Sequence, residues 1–376
     1  MSFLLMLTIS LSCQLTPENP PNPEPEPEPQ DSTDTFIRGG DLSYVNEMLD
    51  CGAVYFNAEG TQQDPYEIFA EAGMDLVRVR LWHNPDWTDY SDEADVALAI
   101  ERANAQGMKT LLDFHYSDTW ADPGHQDVPA AWLGVVDNLG ALGDSVYNYT
   151  YRVLKNLHRD GLLPEYVQVG NETNSEILRD PNRNYGSLNW TRQAHLLNRG
   201  LAAVRDAASD FDQEIGVMLH VAQPENALWW FDRATQNGIT NYDWIAISYY
   251  PRWSDYSLQA LPDAIETLRT TYNKQVIVVE TAYPFTLDNA DNASNNLNSE
   301  ALVTGYPATE EGQLAFLKAL EASIKEGGGE GLVYWEPGWI STTCRTLWGQ
   351  GSHWDNATLF NHSRKANLGM QFYSGE

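Results

Sequence analysis

The sequence of 376 residues has few cysteines and few basic side chains. Its three cysteines are too few for a disulfide-stabilised scaffold and lack the paired spacing of a zinc site. Because 22 Lys and Arg stand against 53 Asp and Glu, the formal net charge is −31, and a nucleic-acid backbone would be repelled rather than neutralised. The chain also lacks an apolar run near the roughly 18 residues that span a bilayer. These absences exclude a nucleic-acid partner and a disulfide-rich fold.

Aromatic residues, by contrast, are abundant, with 13 Trp, 19 Tyr and 11 Phe. A disordered chain lacks large apolar groups of this kind, so most of this chain is predicted to fold. At roughly 100 to 200 residues per domain, the length allows one large domain or two ordinary ones.

The N-terminal 35 residues differ in composition from the rest. Residues 3–11 form an apolar run of signal-peptide length, and Ser12 followed by Cys13 resembles a bacterial lipoprotein processing site that makes Cys13 a lipid anchor. An ordinary cleaved signal and a mis-assigned start are the alternatives. Residues 14–35 are a Pro/Glu-rich linker, which proline and charge repulsion keep extended. We therefore expect an exported protein, either a lipoprotein of the bacterial cell surface or periplasm or a secreted one, divided into segments 1–13, 14–35 and 36–376.

From Phe36 onward, short apolar runs alternate with longer helical patterns, which is typical of βαβ units and a parallel sheet. Continuous runs such as V-I-V-V suit strands buried on both faces. No Gly-rich phosphate loop follows a predicted strand, which favours a single (β/α)8 TIM barrel over an open dinucleotide-binding sheet. The eight predicted strands are Phe36–Gly39, Leu76–Leu81, Lys109–Phe114, Tyr166–Val169, Ile215–His220, Trp244–Ser248, Val276–Val279 and Gly331–Tyr334, and the helices include Asp92–Gln106, Gly140–Asp160, Arg192–Ser209, Leu261–Tyr272 and Glu310–Glu326.

Polar or aromatic residues follow every one of these strands, where barrel enzymes carry their chemistry. Glu172 after the fourth strand and Glu280 after the seventh are expected to face each other across the barrel mouth. Glycoside hydrolysis uses such a pair, one carboxyl as acid/base and the other as nucleophile of a retaining mechanism. We assign Glu172 as acid/base and Glu280 as nucleophile, the latter held ionised by Arg80 and Tyr249. The strand ends, in order, carry Asp41; Arg80 and Trp82; Asp113 and His115; Asn171 and Glu172; His220; Tyr249 and Tyr250; Glu280; and Trp335 and Glu336.

Five longer motifs make the family resemblance specific. They are F-I-R-G-G-D-L-S-Y-V from Phe36, V-R-V-R-L-W-H-N-P from Val77, D-F-H-Y-S-D-T-W-A-D-P-G-H-Q from Asp113, V-Q-V-G-N-E from Val167 and V-V-E-T-A-Y from Val278. From Phe36 to its end, the chain resembles the family 53 endo-β-1,4-galactanases, retaining glycosidases of the (β/α)8 superfamily. The resemblance implies the same two catalytic glutamates, without a cofactor for the chemistry.

The resemblance also implies a set of substrate-binding residues. Asn171 would bond the sugar 2-hydroxyl, Trp335 would floor the subsite of the cleaved sugar, and Trp348 is a further groove residue. Asp118 and Trp120 would contact the non-reducing side of the chain. The full predicted set is Asp41, Arg80, His115, Asp118, Trp120, Asn171, His220, Tyr249, Trp335 and Trp348.

The polar run from Thr286 has oxygen ligands that suit a hard cation but lacks the EF-hand pattern, and by itself it is typical of a polar loop. The resemblance implies a structural calcium there, with Asn289, Asp291 and Asn295 at ligand positions. Cys51 and Cys344 follow the first and eighth strands, neighbours in a closed barrel, and the sequence leaves open whether they pair.

The predicted function is cleavage of β-1,4-galactosidic bonds within galactan, a neutral pectin side chain. We expect a single catalytic domain that is monomeric. The alternatives are another retaining endo-glycanase such as a mannanase, a non-catalytic glycan-binding protein, and a structural surface protein. Retention of both glutamates argues against a binding protein, which has no need of an acid and a nucleophile.

Overall fold

The computed structural model describes residues 36–375. The predicted signal segment 1–13, the lipid-anchor residue Cys13 and the linker 14–35 lie outside the described residues.

Eight parallel strands close into a barrel in sequence order, with β1 pairing with both β2 and β8. The predicted (β/α)8 fold is thereby confirmed, and each strand boundary lies within two residues of its predicted place. The strands are β1 (Ile37–Asp41), β2 (Leu76–Leu81), β3 (Lys109–Phe114), β4 (Tyr166–Val169), β5 (Gly216–Ala222), β6 (Trp244–Ser248), β7 (Gln275–Glu280) and β8 (Gly331–Tyr334).

Helices surround the barrel, and side chains with an oxygen acceptor cap several of their first turns. Asp92 accepts from the amides of Ala94 and Asp95, and Thr309 accepts from that of Gly312, which satisfies donors that a helix start leaves free. The helices are α1 (Val45–Asp50), α2 (Pro65–Glu71), α3 (Glu93–Ala105), α4 (Leu139–Arg159), α5 (Trp190–Phe211), α6 (Pro224–Gln236), α7 (Leu261–Tyr272) and α8 (Glu310–Glu326), with 3-10 helices at Ala130–Val135, Ser299–Ala301 and Leu368–Ser374 and two short hairpins, Tyr55–Phe56 with Gln62–Gln63 and Arg345–Thr346 with Gly349–Gln350.

The barrel interior is apolar at its lower end and polar toward its mouth. Side chains alternate between the two faces of a strand, so Leu76, Arg78 and Arg80 of β2 share the inner face. Leu76 packs in the lower apolar layer, whereas both arginines are buried in polar layers above it. A larger apolar core lies between the outer strand faces and the helices. This layering places charged side chains beneath the C-terminal strand ends.

A disulfide joins Cys51, just after α1, to Cys344, in the segment that follows β8, with 5.6 Å between their Cα atoms. The pairing that the sequence left open is thus present in the structure. It bridges the seam at which β1 and β8 close the barrel. Among residues 36–375, the helices are all too short or too polar to traverse a bilayer.

Candidate active site

A cleft of about 700 Å³ opens at the C-terminal ends of the strands. Both predicted catalytic glutamates, Glu172 and Glu280, line it. Eight of the other 18 lining residues are Trp or Tyr. Its lining comprises Tyr44, Trp120, Ala121, Asp122, Pro123, Asn171, Glu172, Asn174, Ala222, Gln223, Asn226, Tyr250, Trp253, Glu280, Asn296, Trp335, Trp339, Trp348, His353 and Trp354.

A sharp backbone reversal after β4 presents Glu172 to the cleft. Gly170 has a φ of 85°, and a Cβ there would lie 2.6 Å from the side chain of Thr173, so both conformation and space require glycine. Glu172 itself is left-handed with a φ of 42°, a conformation that is costly for a residue other than glycine. The buried amide of Gln126 stabilises the turn by donating to the Asn171 carbonyl over 2.8 Å.

The Glu172 carboxyl is held by a serine and not by a charged partner. Ser248 Oγ at the end of β6 donates to Glu172 Oε1 over 2.6 Å. Burial raises the pKa of Glu172 to about 7, and the serine hydrogen bond opposes that rise. A carboxyl of this pKa carries a proton at mildly acidic pH.

An irregularity in β7 turns Glu280 into the cleft. Ile277 and Val279 both belong to the inner apolar layer, so strict alternation would point Glu280 outward. The register with β6 shifts instead, from Ile247 opposite Val278 to Ser248 opposite Glu280. An extra residue of this kind is a β-bulge, which re-aims the side chain that follows it.

Two donors contact Glu280. Arg78 Nη1 lies 3.0 Å from Oε1, and the Tyr250 hydroxyl donates to Oε2 over 3.2 Å. Burial raises the pKa of Glu280 above its usual range, the Arg78 guanidinium opposes this, and the nearby Glu172 carboxyl adds to the rise. Since only Glu280 has a guanidinium in contact, we place the negative charge of the pair on Glu280 and the proton on Glu172.

Arg78 is the centre of a buried polar network. Its guanidinium bonds Asp41, Asp113 and Asn171, each over 2.8 Å. Neighbouring carboxylates raise the pKa of Arg78, so it stays charged although it is buried. The planar guanidinium fork, with five N–H donors, can serve these groups together, and it fixes Asn171 relative to Glu280.

The prediction that Arg80 and Tyr249 hold Glu280 is wrong, by two residues for the arginine and by one for the tyrosine, since Arg78 and Tyr250 make these contacts. Arg80 Nη1 instead pairs with Glu336 Oε1 over 2.6 Å. The Tyr249 hydroxyl donates outward to the Tyr256 carbonyl over 2.9 Å. Because side chains alternate along a strand, Ser248 and Tyr250 face the site while Tyr249 packs in the outer core.

Four other residues predicted to bind substrate do not line the cleft, and their side chains are bonded to other groups of the protein. Asp41 pairs with Arg78, and His115 Nε2 lies 3.1 Å from Asp113 Oδ2. Asp118 accepts from the amides of Asn84 and Ala130 and so ties two loops together. His220 contacts Ser248 Oγ over 2.8 Å and Asn171 Oδ1 over 2.9 Å, on the Glu172 side of the site.

Asn171, Trp120, Trp335 and Trp348 do line the cleft as predicted. Trp335 is buried at its floor, whereas Trp348 is 44% exposed on the hairpin after β8. Sequence reasoning missed several further lining residues, most of which lie in loops beyond the strand ends. The missed aromatic ones are Tyr44, Tyr250 as a cleft residue, Trp253, Trp339 and Trp354.

The three predicted calcium ligands do not converge. Asp291 accepts from the amides of Ala293 and Ser352 and from the Ser341 hydroxyl. Asn295 instead contacts Asn289 and Asp355, and its own Oδ1 is buried without a partner among the described residues. Residues 36–375 contain no cluster of three His, Cys, Asp or Glu side chains that could hold a metal.

A (β/α)8 barrel with two carboxyls, one guanidinium-bound and one serine-bound, in an aromatic cleft defines a glycoside hydrolase. The comparison with known families agrees, since the model of glycosyl hydrolase family 53 matches residues 37–373. The chain belongs to glycosyl hydrolase family 53, and the resemblance found in its motifs is confirmed.

Known relatives are similar over most of their length. An arabinogalactan endo-beta-1,4-galactanase of Cellvibrio japonicus is 54% identical over 333 residues, which is 88% of each chain. The solved catalytic domain of a family 53 protein from Ignisphaera aggregans superposes with a TM-score of 0.82 at 31% identity, over 93% of this chain and 98% of that one. A fungal beta-1,4-galactanase structure superposes with a TM-score of 0.76 at 30% identity, over 90% of this chain and 98% of that one.

Proposed function

We propose that the protein is an endo-acting β-1,4-galactanase that cleaves galactan with retention at the anomeric carbon. One observation carries this proposal: two carboxyls share a cleft, and their partners differ so that one keeps a proton and the other a charge. The galactan substrate is supported by the similarity to galactanases.

In the first step, a Glu280 oxygen attacks the anomeric carbon while the bond to the leaving oxygen breaks, and Glu172 gives its proton to that oxygen. This step forms a covalent glycosyl-enzyme and leaves Glu172 ionised. Asn171, fixed by Arg78 and by its own donation to the Ala121 carbonyl over 2.8 Å, is placed to bond the sugar 2-hydroxyl.

In the second step, Glu172 takes a proton from water, and the resulting hydroxide oxygen attacks the anomeric carbon and releases Glu280. Both carboxyls return to their starting states. Trp335 at the cleft floor gives the sugar an apolar face to stack on, since one face of a galactose ring is rich in C–H groups.

The test is digestion of galactan by wild type, Glu172→Gln and Glu280→Gln. We expect each variant to lose about 10²-fold or more of the activity, because proton transfer or the nucleophile is removed. Thr281→Val is a matched control, since the Thr281 hydroxyl beside Glu280 is buried without a partner among the described residues. Near wild-type hydrolysis by either glutamine variant would refute the two-carboxylate assignment.

Substrate choice separates the proposal from its nearest alternatives. A galactanase releases oligosaccharides from galactan and none from mannan, whereas a mannanase does the reverse. A glycan-binding protein would bind galactan without producing reducing ends.

We further propose that the enzyme is exported as a monomer, anchored by a lipid on Cys13 at the bacterial cell surface or in the periplasm. The signal-like run and the Ser12-Cys13 pair support this. Metabolic labelling with a fatty acid, compared between wild type and Cys13→Ser, tests the anchor.

We also propose a structural calcium in the loop after β7, where Asn289 Oδ1 and Asp355 Oδ1 both lie near Asn295 Nδ2, whereas Asp291, the third predicted ligand beside Asn289 and Asn295, is bonded elsewhere. It would stabilise the loop and take no part in bond cleavage. Thermal unfolding with calcium and with a chelator tests this, and equal midpoints would refute it.

A further inference from the structure

Ser248 is placed between the proposed acid/base and a buried histidine. Its Oγ lies 2.6 Å from Glu172 Oε1 and 2.8 Å from His220 Nε2. All three side chains are fixed by the fold, because Ser248 ends β6, His220 lies on β5 and Glu172 follows β4. Ser248 and His220 are fully buried.

The direction of the hydrogen bond between Ser248 and Glu172 follows from the charge of the carboxyl, because an ionised carboxylate can only accept. The His220 ring is held from its other side, since Nδ1 lies 2.9 Å from Asn171 Oδ1, 3.1 Å from the Gln168 amide nitrogen and 3.3 Å from the Glu172 backbone nitrogen. Burial and the Arg78 charge lower the pKa of His220 well below its usual value, which keeps the ring neutral.

When Glu172 is ionised, the Ser248 hydroxyl therefore directs its hydrogen to Oε1 over 2.6 Å, and His220 Nε2, 2.8 Å from Oγ, holds the hydroxyl in place. Among residues 36–375, Oε2 has no hydrogen-bond partner, and Glu172 lines the cleft.

We propose that Ser248, held in place by His220, is a positioning residue that orients the Glu172 carboxyl and favours its ionised form between the two chemical steps. The proposal rests on the glycosidase function proposed above. Ser248 touches no reacting atom and acts only through Glu172.

The hydroxyl also limits how far the protein environment can raise the proton affinity of Glu172. The ionisable groups that act on Glu172 come from several elements: Arg78 on β2, Asp113 on β3, Asp122 in the loop after β3, His220 on β5 and Glu280 on β7. Of these, Arg78 favours the ionised carboxylate, whereas Asp113, Asp122 and Glu280 oppose it. A donor 2.6 Å from Oε1 adds to the favourable side without adding charge.

The experiment measures kcat/KM on galactan across pH for wild type, Ser248→Ala and Ser248→Thr. For Ser248→Ala we expect the alkaline limb to move up by roughly one pH unit, because loss of a donor to a carboxylate raises its pKa. We also expect kcat to fall about tenfold with little change in KM, since the acid/base is less well oriented. Ser248→Thr keeps the hydroxyl and should restore the limb.

A merely structural role would lower activity equally at every pH. An unmoved limb in an active Ser248→Ala enzyme would therefore overturn the proposal, and so would an equal shift in the Thr281→Val control. If the alanine variant does not fold, Ser248→Cys carries the same test, because a thiol has a similar shape but donates weakly. Wild type inactive on galactan would instead refute the proposed function.

Discussion

At the scale of single residues, the environment of Glu172 determines the pH range of the enzyme. Burial raises its pKa to about 7, so the acid form declines above that pH. We expect kcat/KM on galactan to fall toward tenfold per pH unit on the alkaline side. A profile measured from pH 4 to 9 checks this, and a flat response from pH 7 to 9 would contradict it.

The same shift predicts a change in folding stability. In the folded protein the pKa of Glu172 is raised from its ordinary value of 4.5 to about 7. The contribution of the protonated carboxyl to folding stability is therefore complete below about pH 4.5 and is lost as the pH rises through 7. Glu172→Gln does not ionise, so relative to wild type it should gain on the order of 1 to 3 kcal/mol in unfolding free energy above pH 7. Urea unfolding of both proteins at pH 5 and pH 8 measures the difference, and an equal difference at the two pH values would refute it.

Arg78 offers a second prediction at this scale. Replacing it with methionine leaves Asp41, Asp113 and Glu280 buried without their cation, so we expect a loss of about 3 to 5 kcal/mol in unfolding free energy. Denaturant unfolding measures it. Arg152→Met, which breaks an exposed pair with Glu93, is the matched control and should cost much less. Similar losses in both variants would contradict a special role for Arg78.

The choice between neighbouring residues was beyond the sequence. Arg78 and Arg80 share an inner face, so alternation alone cannot decide which one reaches Glu280. Tyr249 and Tyr250 are the same residue type. Tyr250, two positions after the inward-facing Ser248, is the one that reaches Glu280. The glutamates themselves were predictable because each lies at or just after the end of a buried strand.

At the scale of elements, the bulge in β7 determines the orientation of Glu280. The sequence placed Glu280 at the barrel mouth from its position at a strand end alone, without the bulge. The strand was recognisable from V-I-V-V, but its regular pleat would point Glu280 toward the helices. The extra residue depends on pairing with β6, which is a tertiary contact with no local sequence signal.

The hairpin after β8 carries Trp348, which packs edge-on against Trp87 and Trp120 with ring centroids 5.6 and 6.1 Å apart. The Cys51–Cys344 disulfide anchors the start of this hairpin segment. For Cys344→Ser we expect a loss of about 2 to 5 kcal/mol in the free energy of unfolding. We also expect a several-fold higher KM on galactan with kcat unchanged, because the hairpin that carries Trp348 is no longer held in its place beside the cleft. Thermal unfolding and steady-state kinetics measure the two effects.

Two further variants separate these effects. Cys51→Ser should reproduce both of them, and Trp348→Ala should raise KM with little effect on the unfolding midpoint. A Cys344→Ser enzyme with the wild-type KM would show that the hairpin is positioned independently of the disulfide.

At the scale of the whole molecule, the net charge of −31 bears on the choice of polysaccharide. A strongly acidic protein repels polyanions such as polygalacturonate, whereas galactan is neutral and unaffected. We expect kcat/KM on galactan to change less than twofold between about 10 and 150 mM salt, since screening has no charged substrate to act on. Added polygalacturonate should not inhibit at either salt concentration, and inhibition at low salt would contradict this.

The barrel as a whole was predictable because its alternating strands and helices are encoded locally, and five of the eight strands have the predicted bounds. The cleft was less predictable from the sequence than the barrel. Trp253 and Trp354 are separated by about a hundred residues of sequence, yet they line one cavity, because loops from different strands meet only in the closed fold.

The disulfide across the barrel seam also makes a ring of most of the domain, since 293 positions separate its two cysteines. A single proteolytic cut in any loop between them leaves two pieces that remain covalently joined. Such a nicked enzyme would migrate as one species on a non-reducing gel and as two after reduction. Wherever the enzyme meets proteases, a first cleavage between the two cysteines therefore does not release a fragment of the barrel.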